Sequence, residues 1–184
     1  MATHLHEPQD ILSFWFETAG PKHWFKQSDA FDAQIRQRFE ETTLWLATDV
    51  AGWDEVAETS LALIIALDQF PRNMYRGTTA AFAFDDRALG HAQAMTDKGW
   101  DLKIDQARRS FVYMPFMHSE DMAAQNECVR LMDMRLDNAS NLHHAKEHRK
   151  VIERFGRFPH RNEILGREST AEEIAFLKDG GYAP

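Results

Sequence analysis

Residues 61–67, LALIIAL, are apolar without a break, and the nine that follow, DQFPRNMYR, hold an acid, two amides, two arginines and a proline. Seven apolar residues are far fewer than the ~18 that a membrane span needs. A helix that is apolar all round has no face to give to water, so this one belongs at the centre of the fold. The polar groups of 68–76 therefore begin close to a core. A later stretch, ERFGRFPHRNEILGR (153–167), repeats the chemistry: Phe-Pro, then Arg and Asn, with four arginines among Phe155, Phe158, Ile164 and Leu165. Polar groups that dense among apolar ones cannot all face water, and those that are buried need hydrogen-bond partners.

The surrounding chain reads as helix after helix. Pro8 suits the first turn of a short helix carrying Ile11, Leu12, Trp15 and Phe16, ended by Gly20-Pro21. Ser28 is an N-cap for the next, where Phe31, Ile35, Phe39, Thr42 and Leu46 recur on one face. Asp54 caps the central helix and Pro71 stops it. A fourth helix opens at Asp85 or Asp86 and closes at Lys98-Gly99. A fifth runs from about Asp105 to Met114, before Pro115. A sixth starts near Ser119 with Glu120 and Asp121 in its first turn, and turns Met122, Val129, Met132 and Leu136 inward. A seventh spans about Ala139 to Phe155, and the last begins at Ser169 or Thr170 with capping-box glutamates three residues on.

Alternating strand patterns, linkers, low-complexity segments and fixed-period repeats are not found. The expectation is an all-α fold: one domain over residues 1–184, with seven to eight antiparallel helices stacked as an array or irregular bundle. Thirteen Phe and five Trp predict a large aromatic core.

A net charge of −8 argues against nucleic acid and anionic membrane as partners. Residues 146–167 nevertheless carry seven Lys/Arg against three Glu, a local +4 that leaves −12 for the rest. Such an island collects an anion or pairs with neighbouring carboxylates. A lone cysteine, Cys128, precludes an internal disulfide and fits a reducing cytoplasm. MATHLHEPQD shows no leader pattern.

Candidate chemistry gathers on the two Phe-Pro stretches, read as loops that follow helix ends. Arg72, Arg76, Arg157 and Arg161 each offer a planar fork to a carboxylate or phosphate. The competing reading gives them to the protein's own Asp68, Glu120, Asp121 and Glu163 and to carbonyls at helix ends. His118, followed by Glu120 and Asp121, is a candidate general base or a brace at a helix junction. His160 lies among arginines whose charge lowers its pKa, which suits a base or a hydrogen-bond acceptor. His144 and His148 have the one-turn spacing of a metal pair but not the H-E-x-x-H order, so His148 reads as a core histidine and no metal or other cofactor is implied. Cys128 lies mid-helix without an activating cation and reads as core. Nucleophile-elbow, phosphate-loop and dinucleotide-glycine patterns are missing.

ILSFWF with KHWF, LDQFPRNMYRGT with AFAFD, FVYMPFMHSED and RFGRFPHRNEILGRESTAEE together resemble a bacterial family known as domain of unknown function 924. The resemblance covers nearly the whole chain. It implies an all-helical fold similar to tetratricopeptide-like superhelices, and it implies no catalytic residues. The repeat motif of true tetratricopeptides is missing.

Three functional readings follow. In the first, a binding domain takes a small anionic or carboxylate-bearing ligand between the two stretches, with Arg72, Asn73, Tyr75, Arg76, His118, Arg157, His160, Arg161 and Asn162 around it. In the second, a hydrolase or lyase uses His118 or His160 as acid/base, oriented by Glu120 or Asp68. In the third, the polar groups only lock helix ends in a protein-interaction scaffold. The first two require chain segments some eighty-five positions apart to converge at Arg72 and Arg161.

Overall fold

A computed structural model describes residues 5–24, 26–50 and 52–183. The first four residues, part of the segment read for a leader, and Phe25 of KHWF lie outside the described residues. The fold is all-α. Its helices are α1 (Pro8–Ser13), α2 (Asp29–Leu46), α3 (Ala57–Ile64), α4 (Phe70–Met74), α5 (Asp85–Asp97), α6 (Gln106–His118), α7 (Met122–Arg135), α8 (Ala139–Phe155) and α9 (Ala171–Lys178). Helices α5 to α8 each pack on the next, α1 and α5 lie on α3, and α2 lies on α4.

Local chemistry places most boundaries where the residue types put them. Ser28 accepts from the Phe31 amide, and Thr170 with Glu173 forms a reciprocal capping box. Gly99 and Gly156 take the left-handed conformation that ends α5 and α8. The LALIIAL run is fully buried, and the predicted face of α2 (Phe31, Ile35, Phe39, Thr42, Leu46) is buried throughout. The aromatic core is real: Phe39 stacks on Phe70 at 4.9 Å, and the Trp15 ring meets Phe70 and Phe111 edge-on at 5.8 Å.

Both interior prolines depart from expectation. Pro71 does not stop the central helix. The chain stays helical from 57 to 74, because α3 passes through a π turn (Ile65–Gln69) directly into α4. In a regular α-helix the Pro71 ring would crowd the Leu67 carbonyl. The wider turn just before it changes that spacing, and Arg72 Nη1 donates to the Asp68 carbonyl at 2.7 Å. The first Phe-Pro stretch is thus a buried helical segment rather than a loop. Pro115 likewise lies inside α6, where residues 111–117 are all buried and packing overrides local propensity. The carbonyls at the end of α6 are satisfied from α7: Gln125 Nε2 donates to Met117 and Ser119 at 2.7 Å each.

Two caps also move. Val56, not Asp54, precedes α3, and the Thr59 hydroxyl reaches back to the Trp53 carbonyl at 2.7 Å to tie that turn down. Asp121 caps α7 through the Ala124 amide, so Glu120 falls before the helix and turns elsewhere. The second Phe-Pro stretch is a single 3₁₀ turn (Pro159–Arg161) held between α8 and α9.

Candidate functional site

The site starts with Asp68, which the π turn places at zero exposure. A carboxylate there must be fully engaged. Its Oδ1 lies 2.8 Å from His118 Nδ1 and 3.1 Å from Arg72 Nη1, and its Oδ2 accepts from Gln69 Nε2 at 2.6 Å. Burial alone would raise the Asp68 carboxyl; the Arg72 charge, followed by His118, outweighs it and holds the group down at about 2.

An ionised carboxylate only accepts hydrogen bonds, so His118 carries its proton on Nδ1 and keeps a lone pair on Nε2. Burial, then the Arg72 charge, pushes the His118 pKa below its usual value despite Asp68, so the ring is neutral near pH 7. Among the described residues none hydrogen-bonds Nε2.

Arg72 turns the rest of its fork to Asp85 at the start of α5: Nη1 to Oδ1 and Nη2 to Oδ2, both at 2.9 Å. Arg161, from the far 3₁₀ turn, reaches the same carboxylate, its Nη1 3.7 Å from Asp85 Oδ2. The Arg161 guanidinium lies over the Phe82 and Phe158 rings, 4.7 and 4.5 Å from their centroids. The two Phe-Pro stretches therefore meet, with Asp85 between their arginines.

Arg161 is singular in this arrangement. The residue is 6% exposed, yet among the described residues its guanidinium makes no hydrogen bond; Nε is buried and unpartnered, and the 3.7 Å contact is too long to be one. Burial, then the Arg72 charge, pulls its pKa down to about 10, which leaves it a cation at neutral pH. It forms one wall of a cleft of about 280 Å³, whose other walls include Phe82, Asp86, Leu89, His118 and Leu165. Glu120 stands at the same cleft, held by Arg167 in a fork of 2.6 and 2.9 Å and by the Phe158 amide at 2.8 Å. Those bonds outweigh its burial and lower its pKa.

The remaining sequence-predicted residues do not line this cleft. Asn73 and Arg76 both bind Asp32 of α2, at 2.8 Å and at 2.7 and 3.0 Å, and Tyr75 donates to Glu40 at 2.9 Å. They fasten α4 to α2. Arg157 forks onto Glu173 at 2.6 and 2.8 Å, and Asn162 donates to Ser169 and Glu173, so this pair seats α9. His160 lies beside the site, 5.6 Å from the Phe158 ring, with a buried Nδ1 that has no partner. Burial, followed by Arg161, pushes its pKa down to about 4.

Of the own-carboxylate reading, Asp68 does take Arg72, whereas Glu120 takes Arg167 rather than Arg72, Arg76, Arg157 or Arg161, Asp121 serves as a helix cap and Glu163 is exposed. His148 is a buried histidine bonded to the His144 carbonyl at 2.8 Å, and His144 itself turns to the Tyr182 hydroxyl at 2.8 Å. Cys128 is buried, and desolvation pushes its thiol pKa up.

Reading the sequence missed Asp85, Phe82, Asp86, Leu89 and Leu165. For Asp85 the available signal was its place in AFAFD, one of the blocks that carry the family resemblance. Its evident fitness to open a helix hid the second role.

Comparison with known proteins follows the same lines. A family model described as a bacterial protein of unknown function (DUF924) matches residues 11–181. Among solved structures, a protein of unknown function from Agrobacterium tumefaciens is similar at 45% identity and a TM-score of 0.89, over 94% of this chain and 97% of that one. Among curated proteins there is no match.

Proposed function

This chain belongs to the DUF924 family of bacterial proteins of unknown function, and on that premise we propose that its cleft binds a small carboxylate-bearing or other anionic molecule. One observation carries the reading: Arg161 is a buried cation whose donors are unused and which faces open space. A buried guanidinium nitrogen without a hydrogen bond is costly, and an anion in the cleft would supply the acceptors that Arg161 lacks. The cleft, at about 280 Å³, falls just below the usual range of ligand pockets, about 300 to 1,000 Å³, and that suits a single small molecule.

A thermal-shift panel of carboxylates and phosphates on the wild type and on Arg161→Gln tests it. At least one anion should raise the wild-type melting temperature and leave the variant unmoved. A flat response across the panel would remove the proposal.

The second reading is an acid/base enzyme, and the 2.8 Å contact between Asp68 and His118 favours it. Asp68 fixes the tautomer and leaves Nε2 of a neutral imidazole without a partner on a residue that lines the cleft. In deuterated water, such a base would take a proton from a bound carboxylic acid next to its carboxylate and return a deuteron. Loss of that ligand's NMR signal with the wild type, and its persistence with His118→Asn, would mark the protein as an enzyme.

A further inference from the structure

We infer that the ligand is a zwitterion, a small amino acid with an apolar side chain rather than a plain anion. This rests on the anion-binding reading above and narrows it. Among the described residues, the cleft has one charged donor left over, the Arg161 guanidinium. It also has two acceptors left over: Nε2 of His118, and the carboxylate of Asp86, an exposed residue with no ion pair or hydrogen bond. A bare carboxylate would satisfy the donor and leave both acceptors facing its own negative charge. An ammonium group on the same molecule would turn those acceptors into partners.

Charge balance leads to the same place. On or directly behind the cleft walls stand four carboxylates (Asp68, Asp85, Asp86, Glu120) and three guanidinium groups (Arg72, Arg161, Arg167), a net of −1 with His118 neutral. A phosphate dianion entering there adds repulsion, whereas a zwitterion adds no net charge. Finally, Phe82, Leu89, Pro115 and Leu165 give the cleft an apolar wall, with the Phe82 ring against the Arg161 guanidinium. A carboxylate, an ammonium and a short hydrocarbon side chain complement all three features.

The test uses matched ligands with the full chain, by isothermal titration calorimetry. One set is leucine, 4-methylpentanoate and 3-methylbutylamine; the other is phenylalanine, 3-phenylpropanoate and 2-phenylethylamine. In at least one set the amino acid should bind tenfold or more tighter than its deaminated and its decarboxylated partner. Asp86→Asn, a change at an exposed position, should reduce that advantage severalfold, and Arg161→Gln should abolish binding of both the amino acid and the carboxylate. If the plain carboxylates bind as tightly as the amino acids, or phosphates bind while amino acids do not, the zwitterion inference falls and the anion site stands. If no carboxylate or phosphate binds at all, both fall.

Discussion

Oδ2 of Asp85 accepts a hydrogen bond from Arg72 at 2.9 Å and stands 3.7 Å from Nη1 of Arg161. One carboxylate thus faces two guanidinium groups and fully serves only one. Arg72 is locked from both sides, by Asp68 and Asp85, while Arg161 is enclosed by aromatic rings and left with free donors. The same residue type, drawn from two similar sequence stretches, is spent on structure in one case and left available in the other.

Arg161→Met should keep the packing between Phe82 and Phe158 and remove an unbonded buried charge. Replacing such a charge by an apolar side chain of similar size is often neutral or stabilising. Urea unfolding should show stability unchanged or raised by about 1 kcal/mol, together with loss of anion binding. A fall of several kcal/mol would mean that Arg161 is a structural lock.

Asp68→Ala should do the opposite. It strips Arg72 and His118 of a shared, fully buried partner, and breaking a buried ion pair costs about 3–5 kcal/mol. Chemical denaturation would show a large drop in midpoint. His118→Asn should cost less, because Asp68 keeps Arg72 and Gln69.

Arg157→Ala should loosen α9 without touching the cleft, because its fork holds Glu173, which also caps the helix. Amide hydrogen exchange should rise over residues 171–178 first, with ligand response retained. Equal loss of binding would bring Arg157 back into the site.

Acidification should destabilise the fold before the carboxylates titrate. His148 is pushed by burial from the ordinary 6.5 to about 3, and His160 to about 4. Both groups bind protons more readily in the unfolded chain, so their contribution to stability is whole above pH 6.5 and is lost as pH falls towards those values. For the buried His148 the slope approaches about 1.4 kcal/mol per pH unit. Melting temperature should fall between pH 6.5 and 4.5, and His148→Phe should flatten the decline.

The helical architecture was legible because its signals are local. Ser28, Thr170, Gly99 and the stripe on α2 each act within a turn or two, and the structure puts them where their chemistry requires. Convergence of the two Phe-Pro stretches was also legible, from the density of charge against core residues. What escaped was the allocation of partners. Nothing local to Arg72 and Arg157 says that one meets Asp85 and the other Glu173. Asn73, Tyr75 and Arg76 do not line the cleft, because a π turn and an intact Pro71 helix point them at α2 instead. Proline rules describe isolated helices, and both interior prolines here sit where tertiary packing decides.

A π turn is equivalent to one residue added within a helix. Removing a single residue from 65–67 would let the backbone relax to α geometry, and the wide turn that lets Pro71 stand inside a continuous helix would be lost. Pro71 would then crowd the carbonyl one turn before it, and the helix that carries Arg72 to Asp85 would kink or break there. The cleft is therefore tied to a count of residues as firmly as to their identities, and a one-codon deletion at 65–67 would disturb it while sparing every side chain that lines it.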